Sequence, residues 1–165
     1  MASKPPGDEL SSLLDSLDVK KSHAPAASKV SPEDAWIARF NTLRDNVLRP
    51  TMEQLGKEIE ARGHDFHIVS KDFRRGNRAV PDEASIRIDI YLDDEKSRTK
   101  INADRRPHVG FTTHSKTQMV QVTLCDITSR GGVESKVGDF PIDKVDAQMV
   151  KDKFIALFKR LLSKK

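Results

Sequence analysis

Five side chains of this protein could together carry acid–base or ligand chemistry. They are Arg87, Asp89, Tyr91, His108 and His114. The first three alternate with isoleucines, and alternate residues of a β-strand share one face. An arginine, a carboxylate, a phenol and two imidazoles would then lie on one polar sheet face. If that face is concave, it predicts an enzyme or a receptor for a small ligand.

The histidines do not predict a metal site. His64 and His67 stand three positions apart at the start of a predicted strand, so their side chains would point to opposite faces. His108 and His114 share a face but lie about 20 Å apart by strand rise, too far for one ion. The acidic turn at 93–95 lacks the glycine and ligand spacing of a calcium loop. The glycine-rich loops of nucleotide-binding proteins are also missing, and we expect no metal and no cofactor.

Cys125 is the only cysteine, which excludes a disulfide within the chain. The strand pattern places it toward the polar sheet face, where a nucleophilic thiol would need a base such as His114. A structural role in the strand is the simpler interpretation. We therefore predict no catalytic residue and favour a non-enzymatic function.

Basic residues form three clusters that could contact nucleic-acid phosphates. The candidate contacts are Arg74, Arg75 and Arg78 after the first predicted strand, Arg105 and Arg106 after the second, and Lys159 and Arg160 in the last helix. Successive loops of a meander leave opposite ends of the sheet, so the first two clusters would lie about 20 Å or more apart. The net charge of +4 arises entirely after Ile142. Nucleic-acid binding is therefore the alternative hypothesis.

The polar N-terminal stretch, residues 1–30, contains one apolar pattern. Its serine, alanine, proline and lysine content predicts a disordered tail. Within it, an amphipathic leucine segment at 8–19 places Leu10, Leu13, Leu14 and Leu17 at helical spacing. Such anchors are typical of a helix that docks in a partner's groove. Packing onto its own domain and a chance cluster remain the alternatives.

Helical and strand periods divide the rest of the chain, 31–165, which we predict to be one domain. A serine cap and Pro32 begin a helix that Pro50 kinks and Gly63 ends. Its apolar stripe is predicted at Trp36, Phe40, Leu43, Val47, Met52, Leu55 and Ile59. Period-two patterns predict strands around 66–68, 86–92, 109–111, 120–124 and 133–140, and helical spacing returns at 146–162.

The order of these elements predicts an α+β fold. The connections after the second strand lack helical patterns, so we expect an antiparallel meander of four or five strands. One apolar sheet face needs cover, and the kinked N-terminal helix and the C-terminal helix each have a matching stripe. The prediction is a two-layer sandwich behind a disordered N-terminal tail.

Composition narrows the class of function. With 36% hydrophobic and 33% charged residues and no long apolar run, the chain is not expected to enter a membrane. The absence of a secretory pattern and of paired cysteines favours the cytoplasm. Our leading hypothesis is an adaptor or accessory subunit, a protein-interaction module whose tail binds another protein. An open sheet edge could also pair with a second copy in a homodimer.

Overall fold

The computed structural model describes residues 29–77, 79–92, 106–128 and 131–164. The chain separates into two units, Met1–Ser31 and Pro32–Lys165, and we describe the second. Its elements are α1 (Pro32–Leu43), a π-helical turn (Arg44–Leu48), α2 (Arg49–Glu60), β1 (Asp65–Lys71), β2 (Ser85–Tyr91), β3 (His108–His114), β4 (Met119–Cys125), β5 (Glu134–Pro141), a 3-10 turn (Ile142–Lys144) and α3 (Ala147–Leu162). This order confirms the predicted α+β fold. In the described stretches, no helix is long and apolar enough to cross a membrane.

The π-helical turn between α1 and α2 accommodates Pro50, near the start of α2. Proline lacks a backbone N–H, and its ring would clash with the carbonyl four residues earlier in a regular helix. The wider turn at Arg44–Leu48 relieves that clash and rotates the faces of the helix. As a result, Leu48 is fully buried, whereas Val47, the predicted stripe residue, is only half-buried. The helix ends as predicted, with Gly63 at a φ of 89°.

The five strands form an antiparallel meander in which sheet order follows chain order. Alternate residues of β2, β3 and β4 face the helices and form the core with them. The core residues that are at most 2% exposed are Phe40, Leu48, Met52, Ala84, Ile86, Ile88, Ile90, Val109, Phe111, Val120, Val122, Leu124, Val150 and Leu157. The helices thus cover one face of the sheet, and the remaining alternate residues form the polar sheet face.

Gly56 marks the closest approach of α2 to the sheet. A Cβ at this position would overlap the ring of Phe66 on β1. Replacing a helical glycine with alanine normally stabilises a helix by about 1 kcal/mol. Here Gly56→Ala is expected to destabilise the fold by a net of about 1 kcal/mol, since overpacking costs about 2 kcal/mol. Urea denaturation measures the change. The double variant with Phe66→Leu should recover stability, and a stabilised single variant would contradict the close packing.

Candidate functional site

Strand register places the polar side chains in rows across the sheet. One row contains Val69, Arg87, Gly110, Thr123 and Lys136. The next row toward the start of β3 contains His67, Asp89, His108, Cys125 and Glu134. Arg87, Asp89 and His108 therefore come together on adjacent strands.

This polar sheet face carries a hollow of about 760 Å³. The sheet forms its floor, and the segment between β1 and β2 forms a wall, where Arg74 and Asp82 exchange backbone hydrogen bonds of 2.9 and 3.0 Å. The lining residues are Val69, Ser70, Lys71, Asp72, Arg74, Asp82, Glu83, Ser85, Ile86, Arg87, His108, Gly110, Thr112, Gln121, Thr123 and Glu134. Its volume is that of a small-molecule site, but its lining is more polar than is usual for one.

Gly110 provides the space at the middle of the floor. A Cβ at this position would lie 2.8 Å from Thr123 Oγ1 and 3.5 Å from Arg87 Cβ. An added side chain would press on Thr123, whereas its contact with Arg87 would be an ordinary van der Waals contact. A glycine inside a strand often marks the close approach of another group, and here the closest group is the Thr123 side chain on β4.

Arg87 is held in the hollow by a buried carboxylate. Its Nε lies 2.9 Å from Asp89 Oδ1, and the Asp89 side chain is only 2% exposed. Burial raises the pKa of Asp89, and the nearby charges of Arg87 and His108 oppose that rise in part. The carboxylate therefore depends on Arg87 to remain charged, and Arg87 depends on it for its position.

His108 is oriented by a backbone acceptor. Its Nδ1 lies 2.8 Å from the carbonyl oxygen of Arg106, which can only accept, so Nδ1 carries a hydrogen. Its Nε2 lies 3.5 Å from Glu134 Oε1. Both side chains line the hollow.

Cys125 does not complete a catalytic set with these residues. It lies beside His108 in the register, but its side chain is fully buried, and burial raises the pKa of the thiol. A reactive cysteine needs the opposite, an exposed thiol with a lowered pKa. The position is that of a structural residue in β4.

Tyr91 and His114, the other two predicted site residues, lie away from the hollow. Arg106 stacks over the Tyr91 ring, with its Cζ 4.2 Å from the ring centroid, and also donates to the phenol oxygen. His114 lies at the far end of β3, where its Nε2 is 2.6 Å from Gln121 Oε1. The structure therefore places only part of the predicted set, Arg87 and His108 with Asp89 beneath them, at one site.

The described basic candidates do not form one surface. Arg75 pairs with Glu33 at 2.6 Å and with Asp34 at 2.8 Å. Arg160 donates to Ser135 Oγ at 2.9 Å, and its neighbour Lys159 is exposed on α3. Arg74 lines the hollow, and Arg106 covers Tyr91 at the opposite end of β2. Arg78 and Arg105 lie outside the described residues.

Other residues of the hollow were missed by the sequence patterns. Glu83 accepts hydrogen bonds from Thr113 Oγ1 at 2.7 Å and from Ser115 N at 3.0 Å, and so fastens the wall to the end of β3. Glu134 lines the hollow because β5 pairs with β4 and places Glu134 opposite Cys125. Part of the lining does follow from the strand pattern of the sequence, since alternate strand residues share one face; these residues are Gly110, Thr112, Gln121 and Thr123.

The remaining predicted site and the comparisons add no further residues. The leucine segment at 8–19 lies outside the described residues. In the described ranges, no group of three or more histidine, cysteine, aspartate or glutamate side chains could hold a metal ion. Comparison of the chain with protein-family models, curated proteins and solved structures finds no match.

Proposed function

We propose that the folded domain is a binding module whose hollow receives a small polar molecule with an anionic group. The observation that carries the proposal is the arrangement at the floor, where Gly110 leaves space beside an arginine that a buried carboxylate holds in position. Specific sites commonly use a few fixed polar groups of this kind to orient a ligand.

The lining supports a ligand of mixed polarity. Lys71, Arg74 and Arg87 supply positive charge on the side of β1 and β2. Three carboxylates also line that side: Asp72 pairs with Arg44 at 2.9 Å, Glu83 accepts from β3, and Asp82 lies in the wall. Because Arg87 is paired with Asp89, we expect the anionic group of the ligand to contact Lys71 and Arg74 at this end of the hollow.

The other end of the hollow suits neutral or positive groups. Thr112, Gln121 and Thr123 line the floor toward β4, and Glu134 lies beyond them on β5. Hydroxyl and amide side chains can both donate and accept, whereas the Glu134 carboxylate accepts. A compound with a carboxylate or phosphate at one end and hydroxyl or ammonium groups at the other would match this lining.

The two hypotheses with other partners have less structural support. Nucleic-acid binding needs several cations directed at one backbone, but Arg75 and Arg160 already have intramolecular partners. An adaptor function through the leucine segment stays a prediction, since that segment lies outside the described residues. It is compatible with the proposed ligand site, because the two functions use different residues.

The proposal can be tested by equilibrium dialysis of the full chain against a metabolite extract, with mass spectrometry of what is retained. We expect the wild-type protein to enrich an anionic polar metabolite and Gly110→Ala to retain at least tenfold less of it. The expected reason is the Cβ that would rise into the floor 2.8 Å from Thr123 Oγ1.

Gly138→Ala is the matched control, a strand glycine on β5 that does not line the hollow and whose added Cβ would meet only Phe140, at 3.3 Å. It should retain the metabolite as the wild type does. Enrichment of no anionic metabolite by the wild type, or equal retention by Gly110→Ala, would refute the proposed function.

A further inference from the structure

The two edges of the sheet differ in how they are protected. β5 contains a register shift opposite Val122 and Thr123 and ends at Pro141, two features that disfavour pairing with another strand. β1 has no proline, and it pairs with β2 in unbroken register over its whole length. In the described part of the chain, no strand pairs with the other side of β1. β1 is therefore the edge that is suited to further pairing.

The hydrogen-bond pattern identifies which backbone groups of β1 face outward. Ile90 donates its N–H to the Pro107 carbonyl, on the β3 side, so its neighbours Asp89 and Tyr91 direct their backbone groups toward β1. Their register partners on β1 are His67 and Asp65. By the same alternation, the N–H and C=O groups of 66, 68 and 70 point away from the sheet.

These outward groups are self-complementary. When two β1 strands run antiparallel about a two-fold axis at Ile68, Ile68 meets its own copy and Phe66 meets Ser70, so all the facing backbone groups exchange hydrogen bonds. The same register places Asp65 opposite Lys71 at both ends of the pair. Both side chains are exposed, and opposite charges directly across two strands attract. A parallel arrangement would instead set like residues side by side.

We propose that β1 forms the interface of a symmetric homodimer, in which two five-stranded sheets join into one through antiparallel pairing about Ile68. A two-fold contact of this kind uses the same surface on both subunits. The proposal does not depend on the ligand of the hollow, although Lys71 also lines the hollow. The β1 edge has an acidic and a basic residue at opposite ends and lacks the register shift and the proline of β5.

Analytical ultracentrifugation of the full chain tests the proposal over a range from 1 to about 100 µM. We expect a concentration-dependent rise from the 18.5 kDa monomer to a species of twice that mass. Lys71→Asp should raise the dimer dissociation constant at least tenfold, because at each end of the interface Asp65 of one subunit would face a carboxylate at position 71 of the other. The exchanged variant Asp65→Lys with Lys71→Asp should restore dimerisation to within about threefold.

Two further variants separate the interface from the fold. Ser70→Pro removes an N–H that points outward while the ladder with β2 is kept, and it should also weaken the dimer at least tenfold. Lys116→Asp reverses an exposed charge in the turn between β3 and β4 and should have no effect. A wild type that stays monomeric throughout, or a dimer that tolerates both Lys71→Asp and Ser70→Pro, would overturn the proposal. Far-ultraviolet circular dichroism checks that each variant is folded.

Discussion

Arg87→Met is expected to destabilise the protein by about 3 kcal/mol at pH 7, the low end of the range for breaking a buried ion pair. Methionine keeps most of the apolar stem of arginine but leaves the Asp89 carboxylate buried without its counter-ion. The Asp89 side chain is 2% exposed and that of Arg87 is 24% exposed, so water can replace little of the lost interaction. Urea denaturation at pH 7 measures the change.

The stability that Arg87→Met loses should depend on pH, because Asp89 changes its charge with pH. Burial raises the pKa of the Asp89 carboxyl in the folded protein. The contribution of this carboxyl to stability is therefore fully present below the unfolded pKa of about 3.9. It is lost as pH rises through the folded pKa. Without Arg87 the folded pKa rises further. The difference in stability between Arg87→Met and the wild type should therefore shrink from pH 7 toward pH 4, as Asp89 becomes neutral.

The double variant Arg87→Met with Asp89→Asn is the control for this prediction. Residue 89 then carries no charge. The double variant should therefore be much more stable than Arg87→Met at pH 7 and only slightly more stable near pH 4. A single variant whose deficit is the same at both pH values would show that Arg87 acts through packing and not through its charge.

Glu83→Ala is expected to cost about 2 to 3 kcal/mol, because it removes a charged acceptor from buried donors. Ser115, which is 2% exposed, donates both its backbone N–H and its hydroxyl to Glu83 Oε1, each at 3.0 Å. The Thr113 hydroxyl also donates to Glu83 but has a second acceptor in the Ala84 carbonyl, so the main loss falls on Ser115. Urea denaturation gives the free energy.

Amide hydrogen exchange locates the effect. In Glu83→Ala the Ser115 amide should lose protection more than the amides at the middle of β3. Glu83→Gln keeps an acceptor oxygen without the charge, and it should lie between alanine and the wild type. If Glu83→Ala unfolds with wild-type stability, the contacts between the wall of the hollow and β3 do not hold that segment in place.

The fold was largely predictable because its determinants are local. The isoleucines at 86, 88 and 90 alternate regardless of what surrounds them, and the capping residues before α1 act within one helical turn. The prediction was less accurate at Val47. The π-helical turn before Pro50 brings Leu48 into the core instead, and its position depends on packing against the sheet as well as on the proline.

The site was predictable only in part. Strand parity correctly assigned Arg87, Asp89 and His108 to one face, but the same parity included Tyr91 and His114, which lie outside the hollow. Alternation along a strand predicts which face of the sheet a side chain lies on, but not how deeply that side chain is buried. The burial of Asp89 and the position of Glu134 in the hollow depend on neighbouring strands and on the segment that forms the wall. A local sequence pattern therefore could not predict either one.

By itself the sequence determined the element order, the meander and the division of each strand into an apolar and a polar side, since helix and strand periods are properties of neighbouring residues. Only the tertiary structure decided which polar groups are buried together, which cations already have partners and where the hollow lies. The reason is sequence distance: Glu83 meets Thr113 and Ser115 across 30 and 32 positions, contacts that exist only after the strands have paired. The side chains that could carry chemistry were thus visible in the sequence, but the folded sheet set their arrangement.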